Sequence, residues 1–147
     1  MVLISNIFKA LKLPVEWWKK FSLFGLALFF IYFGIDHFIN LEFYLSIMPP
    51  AFPLHSEAVY ISGFFEVLGG ACVLIPRLRK IAGWGLVALL VAVYPANIYM
   101  AITPEAFPDL SIELLYARLP FQFIFIYWAY SVTQPAYIRV SEHNIVN

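Results

Sequence analysis

Six polar residues interrupt the long hydrophobic stretches of this 147-residue sequence: Asp36, His37, Glu66, Asn97, Arg118 and Gln122. An ionisable group inside a nonpolar helix is costly unless it is paired, so each of the six is a candidate functional residue. Together their carboxyl, imidazole, guanidinium and amide groups offer donors and acceptors for the polar end of a lipophilic molecule, and a carboxyl among them can carry a proton.

The six residues lie in four hydrophobic stretches, residues 20–38, 58–75, 81–100 and 114–132. As helices these stretches are roughly 27–30 Å long, about the thickness of one hydrocarbon core. In lipid the backbone must satisfy its own hydrogen bonds, which favours helices over strands. Hydrophobic residues make up 63% of the chain and charged residues 12%, so a soluble enzyme is nearly excluded. The predicted fold class is an all-α membrane protein, an antiparallel bundle of four transmembrane helices.

The charges between the stretches predict an orientation. Eight of the nine basic residues lie before the first stretch, between the second and third, or after the fourth: Lys9, Lys12, Lys19, Lys20, Arg77, Arg79, Lys80 and Arg139. The other two connections carry acids and no Lys or Arg: Glu42, Glu57, Glu105, Asp109 and Glu113. By the positive-inside rule both termini are cytoplasmic in a multi-pass protein of the bacterial inner membrane. A formal net charge of zero argues against nucleic acid as a partner.

The segments outside the stretches have distinct characters. Residues 1–19 mix apolar and basic side chains, which favours an amphipathic segment at the membrane surface over a disordered basic tail. Residues 133–147 form a cytoplasmic tail. The two acidic connections contain Pro49, Pro50 and Pro53, and Pro104 and Pro108. Because proline reduces the entropy lost on ordering, these connections are expected to fold as a structured cap.

Counting residues from the helix ends places all six polar side chains in the outer half of the bilayer, although they come from four helices. Arg118 and Gln122 are four residues apart and therefore share a helix face, as do Ser62 and Glu66. Pro95 and Pro120 each remove a helical hydrogen bond and free the carbonyls of Val91 and Tyr116. Such freed groups need other partners, which a polar bundle interior supplies.

Two interpretations of this cluster stay open. In the first the cluster is structural: Glu66 or Asp36 pairs with Arg118, and Asn97 and Gln122 supply the remaining interhelical hydrogen bonds. In the second it is the head of a pocket with Phe and Tyr walls that binds a lipophilic molecule with a polar end, such as a quinone. A buried glutamate without a partner also favours its neutral form, so Glu66 is a candidate for passing protons. No metal site is predicted, because adjacent residues such as Asp36 and His37 diverge by about 100° on a helix.

Several separated segments resemble the DoxX-like family of small bacterial membrane proteins. They are the run from Phe33 to Phe38, the run from Phe43 to Pro50, and the Ser62, Gly63, Glu66, Gly69 and Gly70 pattern. The turn Ile75-Pro76-Arg77, the run from Tyr94 to Met100, and the Arg118, Leu119, Pro120 and Gln122 entry to the last helix also match. The similarity covers roughly residues 20–132, and it includes all six polar positions.

The resemblance implies a four-helix membrane bundle and, for some members, a role in thiosulfate:quinone oxidoreductase or other redox complexes. Animal relatives assist receptor assembly. This chain has one cysteine, Cys72, so it lacks the cysteine pair of thiol-quinone enzymes. The leading hypothesis is an accessory subunit that binds a quinone or other lipophilic ligand, with no covalently bound cofactor and no catalytic motif. Its expected partners are the bilayer, redox-complex subunits or further copies of itself. The alternative is a non-catalytic assembly or interaction protein.

Overall fold

The chain folds into four long helices and two short ones within residues 13–14 and 16–135, the part that the computed structural model describes. The long helices are α1 (Trp17–Ile39), α3 (His55–Cys72), α4 (Arg79–Ile102) and α5 (Ile112–Thr133). The short ones are α2 (Leu41–Ser46), which follows α1, and a 3-10 helix (Pro104–Ala106) between α4 and α5. These residues contain no strand, and the predicted all-helical class is confirmed.

Each long helix coincides with one hydrophobic stretch to within three residues at either end. Two of them, α1 and α4, are long and apolar enough to cross a membrane. The largest shift is in α3, which begins at His55 after Leu54, a residue with a left-handed backbone (φ 56°). Predictions for the amphipathic segment before Leu13, and for the tail after Pro135, fall outside the described residues.

Local signals explain where the helices begin and end. At the start of α5 the Ser111 hydroxyl accepts a hydrogen bond from the Leu114 N–H at 3.3 Å, the expected role of serine at a helix N-cap. Pro14 precedes α1, and at its end the Asn40 N–H closes on the Asp36 carbonyl at 2.8 Å. The chain then turns into α2 rather than leaving the bundle.

The four long helices pack as two antiparallel pairs, α1 with α3 and α4 with α5. In the first pair the backbones touch: a Cβ on Gly34 would lie 2.8 Å from the Gly63 carbonyl oxygen, and one on Gly63 would lie 2.7 Å from the His37 Cβ. Only glycine permits this approach, which is typical of helix contacts in membranes. The contact sets His37 on α1 beside Glu66, one turn further along α3.

The two pairs meet at one end of the bundle, where α1 and α4 begin and α3 and α5 end; this is called the closed end. A cluster of buried residues fills it: Leu23, Leu26, Ala27, Phe30, Val73, Ala82, Leu86, Leu90, Ala129 and Val132. The opposite end, called the cavity end, is covered by a second cluster of Ile47, Met100, Phe107 and Leu115. Because Ile47 and Phe107 come from the two proline-containing connections, those connections form the structured cap that the prolines predict.

Arg79, which the sequence interpretation counts among the basic residues of the connection between the second and third stretches, is buried. Its side chain is 2% exposed. The Nε–H donates to the Val73 carbonyl at 2.7 Å and Nη2 donates to the Leu74 carbonyl at 3.3 Å. Arg79 therefore ties the start of α4 to the turn after α3, and the exposed basic groups of this connection are Arg77 and Lys80.

Candidate functional site

A cavity of about 730 Å³ lies between the two helix pairs at the cavity end. All six polar residues singled out from the sequence line it, together with Ser62 and Tyr44. The rest of the lining is apolar and includes seven phenylalanines: Phe29, Phe30, Phe33, Phe43, Phe52, Phe121 and Phe125. Phe30 and Leu90 belong both to this lining and to the core of the closed end, so they form the floor of the cavity.

Asp36 lies at the end of α1 and is held by two donors from the following residues. Asn40 Nδ2 donates to its Oδ1 at 2.6 Å, and the Tyr44 hydroxyl donates to its Oδ2 at 2.9 Å. Both carboxylate oxygens are thus used to fasten α2 to α1. Burial, followed by the hydrogen bond to Asp36, raises the pKa of the Tyr44 hydroxyl above its ordinary value, so Tyr44 stays a donor.

His37 is 7% exposed and is fixed from two sides. Its ring stacks on Tyr44 with centroids 3.7 Å apart, and its Nδ1 lies 2.8 Å from the Phe33 carbonyl oxygen. Because a carbonyl only accepts, Nδ1 carries a proton and donates it there. The imidazole therefore acts as a packed, oriented part of the wall.

Glu66 is the buried acid of the cavity, with 7% of its surface exposed. Its Oε2 lies 3.5 Å from the His37 Nδ1 but has no hydrogen-bond partner among the described residues. A buried polar atom without a partner is costly, and native proteins contain few of them. Glu66 is therefore the clearest point at which the cavity lacks a polar contact.

The opposite wall carries a continuous chain of hydrogen bonds between α4 and α5. The Arg118 Nε donates to Asn97 Oδ1 at 2.9 Å, and Asn97 Nδ2 donates to Gln122 Oε1 at 3.0 Å. Gln122 Nε2 then donates to the Leu90 carbonyl at 2.6 Å. From the sequence, Pro95 is expected to free the Val91 carbonyl, which would then need another partner. In the structure the Gln122 side chain donates instead to the carbonyl of Leu90, one residue earlier.

The expected pairing of Arg118 with Glu66 or Asp36 is wrong for the structure. Among the described residues no carboxylate oxygen lies within 4.0 Å of the Arg118 guanidinium. Its one hydrogen bond uses Nε, so the two terminal nitrogens donate to no described residue. The reason is local, because Asp36 is already bound by Asn40 and Tyr44, and Glu66 faces His37.

Tyr44 was not among the candidates taken from the sequence, although it contacts two of them. A signal was present: Asp36, Asn40 and Tyr44 are four residues apart, so the helical spacing continues across the break between α1 and α2. Tyr32, four residues before Asp36, is 66% exposed and does not line the cavity.

A family model described as a domain of unknown function, DUF8561, matches residues 26–133. The chain belongs to this family. The DUF8561 match begins in α1, ends with the last residue of α5 and includes every polar residue of the cavity. None of the curated proteins and none of the solved structures matches the chain. The resemblance to the DoxX-like family stays a prediction.

The cavity lies entirely within the DUF8561 match, and its lining suits the binding of a small molecule. The described residues contain no group of three or more His, Cys, Asp or Glu side chains that could hold a metal ion. What the cavity offers is an apolar, aromatic wall with two unsatisfied polar points, Arg118 on α5 and Glu66 on α3. Such a combination is typical of sites for amphipathic small molecules.

Proposed function

We propose that this protein is a four-span membrane protein that binds a lipophilic molecule with a polar head, and that it serves as an accessory subunit of a membrane redox system. The observation that carries the proposal is the cavity of about 730 Å³, with phenylalanine walls and unsatisfied polar groups on Arg118 and Glu66. Its volume falls within the roughly 300–1,000 Å³ of small-molecule sites. A quinone is the first candidate ligand.

The outer surface of the bundle supports the membrane part of the proposal. In the most apolar 18-residue windows of α1 and α4, only 33% and 28% of the residues are buried, which disfavours the core helix of a soluble protein. Large apolar side chains are exposed on all four long helices, for example Leu28, Phe64, Val91 and Ile124. So much exposed apolar surface is typical of contact with lipid.

The exposed charges support an orientation with both termini in the cytoplasm. Exposed Arg77 and Lys80 flank the closed end, whereas the acids of the other connections, such as Glu57 and Glu113, lie at the cavity end. The cavity then faces the outer leaflet of a bacterial inner membrane. Contacts between α1 and α5 are few and are made by rings such as Phe29 and Phe125, 4.8 Å apart. We place the entry route for a ligand from the lipid at this seam.

Quinone binding in lipid nanodiscs tests the proposal. Trp128 is the reporter, because its ring packs on Phe29 and Phe125, which line the cavity. The exposed Trp17, Trp18 and Trp84 are replaced by Phe to isolate its fluorescence. An alkyl-substituted benzoquinone should quench Trp128 saturably, and Glu66→Gln and Arg118→Gln should each weaken binding about tenfold. The control is Arg77→Gln, an exposed arginine outside the cavity; equal quenching in every variant would contradict the proposal.

A second function is favoured by one specific observation. The chain of hydrogen bonds from Arg118 through Asn97 and Gln122 to the Leu90 carbonyl is complete without any ligand. We therefore keep the alternative of an assembly or interaction protein whose polar wall is structural. Under this alternative Arg118→Gln lowers the stability of the protein, a partner complex or a second copy co-purifies with it, and no lipophilic probe binds in the cavity.

A further inference from the structure

The Arg118 guanidinium lies in the wall of the cavity without an ion pair among the described residues. Within the part of the chain that the structure describes, Arg118 is the one Lys or Arg that lines the cavity. The described residues place no carboxylate within 4.0 Å of it, and its only hydrogen bond runs from Nε to Asn97. The two terminal nitrogens of the guanidinium therefore keep their donors for a group that enters the cavity.

The acids of the cavity do not supply the missing anion. Each carboxylate oxygen of Asp36 accepts one hydrogen bond, from Asn40 and from Tyr44, and these bonds hold Asp36 at the α1–α2 corner, with its oxygens more than 4.0 Å from the Arg118 guanidinium. Glu66 stands on α3, in the other helix pair, with its Oε2 directed at His37 rather than at Arg118. A charge in an apolar surrounding is most favourable when paired and hydrogen-bonded. The partner of Arg118 must then come with the ligand.

We infer that the ligand is a single-tailed amphiphile with a carboxylate head, such as a long-chain fatty acid, and that Arg118 binds this head through its terminal nitrogens. The planar guanidinium fork matches the two oxygens of a carboxylate. One unpaired cation matches one negative charge, and the phenylalanine walls accept the tail. This inference rests on the proposed binding function. It narrows the class of ligand from any lipophilic molecule with a polar head to one with an anionic head, which a neutral quinone lacks.

A head-group series with one tail tests the inference on the full-length protein in phosphatidylcholine nanodiscs. Dodecanoic acid, dodecanol, dodecylamine and an alkyl-substituted benzoquinone are titrated by calorimetry at mildly alkaline pH, with empty nanodiscs as the blank for partitioning. The acid should bind about tenfold tighter than each of the other three, the gain expected of a charge-assisted bidentate contact. Equal or tighter binding of the alcohol, the amine or the quinone would overturn the carboxylate assignment.

Variants then assign the preference to Arg118. Arg118→Gln should reduce the preference for acid over alcohol to within about twofold, whereas the charge-matched Arg77→Gln should leave it unchanged. Because Arg118→Gln also removes the bond to Asn97, Arg118→Lys is measured too; it keeps the charge without the fork and should retain part of the preference. A preference that persists in Arg118→Gln would overturn the inference.

The failures of the two proposals are distinguishable in this experiment. If the neutral probes bind the wild-type protein as well as the acid does, the cavity is a lipophilic site without the carboxylate selectivity inferred from Arg118. If none of the four probes binds above the blank, both the proposed binding function and the inference are wrong.

Discussion

The two ends of the bundle are built from the same four helices and yet hold together differently. At the closed end aliphatic side chains and small residues fill the space between the helix pairs: a Cβ on Gly69 of α3 would lie 2.5 Å from Leu86 of α4. At the cavity end the pairs separate, and polar side chains bind within each pair instead, as in the bond from Asn97 to Gln122. Between the pairs, the closed end is filled by packed side chains, with one hydrogen bond from Trp128 Nε1 to Ser22 Oγ, whereas hydrogen bonds between side chains join α4 to α5 at the cavity end.

The difference teaches where a bundle of four helices can place a site. In the membrane setting that we propose there is no hydrophobic drive between helices, so their association would depend on van der Waals packing and interhelical hydrogen bonds. Close packing at the closed end fixes the positions of the four helices. The cavity end can then leave about 730 Å³ between the pairs and keep unsatisfied groups such as Glu66 Oε2. The free-energy cost of these unsatisfied groups is offset by the packing of the closed end.

The largest expected effect compares two leucines of α4 that are one turn apart. Leu86 is 1% exposed in the core of the closed end, whereas Leu89 lines the cavity. Leu86→Ala should lower the free energy of unfolding by about 2 kcal/mol or more, because it opens a void in a packed region. Leu89→Ala should cost less than about 1 kcal/mol, because its surroundings already border open space.

Equilibrium unfolding in mixed micelles measures both leucine variants. Gly85→Ala serves as an outer control on the same helix, since a Cβ there would meet nothing within 4 Å. Equal losses for Leu86→Ala and Leu89→Ala would mean that the two ends do not differ in packing, and the comparison between them would fail.

The sequence indicates the six polar residues that line the cavity but not the partners to which they are hydrogen-bonded. The depth of a residue in a helix follows from the number of residues between it and the end of the hydrophobic stretch. Counting residues is therefore enough to predict that the six polar residues lie at a similar depth. Pairing depends on how the helices rotate and on which short segments intervene. Tyr44 and Asn40 donate hydrogen bonds to the two carboxylate oxygens of Asp36. A hydrophobic pattern does not indicate these bonds, nor that Arg118 would donate to Asn97.

The helices themselves were accessible from hydropathy because length and apolar content determine them. Their ends were harder to place: the start of α3 depends on the left-handed backbone at Leu54, which the sequence does not signal. The burial of Arg79 was missed for a similar reason. Its side chain donates to the Val73 and Leu74 carbonyls. Every residue carries such a carbonyl, so the pattern of side chains in the sequence does not indicate which ones will bind an arginine.

A medium effect is expected where hydrogen bonds replace packing. Gln122→Leu removes the side-chain donor to the Leu90 carbonyl and the acceptor of the Asn97 amide, so the free energy of unfolding should fall by about 1–2 kcal/mol. Ser62→Ala is the control, because the Ser62 hydroxyl donates only to the Val59 carbonyl of its own helix. The same unfolding assay applies. A loss for Ser62→Ala as large as that for Gln122→Leu would show that the interhelical bonds do not hold this wall together.

The smallest effect concerns the corner between α1 and α2 and appears as a dependence on pH. Burial, and then the hydrogen bond to Asp36, raises the pKa of Tyr44, so the folded protein keeps this proton at a pH where the unfolded chain has released it. Above the ordinary tyrosine pKa of about 10 the unfolded state binds fewer protons than the folded one, and the free energy of unfolding must fall with pH.

Tyr44→Phe isolates this contribution from the other tyrosines. Near neutral pH the variant should lose about 1 kcal/mol or less, for the bond to Asp36. Above a pH of about 10 its stability should fall less steeply than that of the wild type, so the two curves converge. Parallel curves for the wild type and Tyr44→Phe would mean that the Tyr44 hydroxyl is not held at this corner, and that hydrogen bonding at the cavity end is confined to the wall formed by α4 and α5.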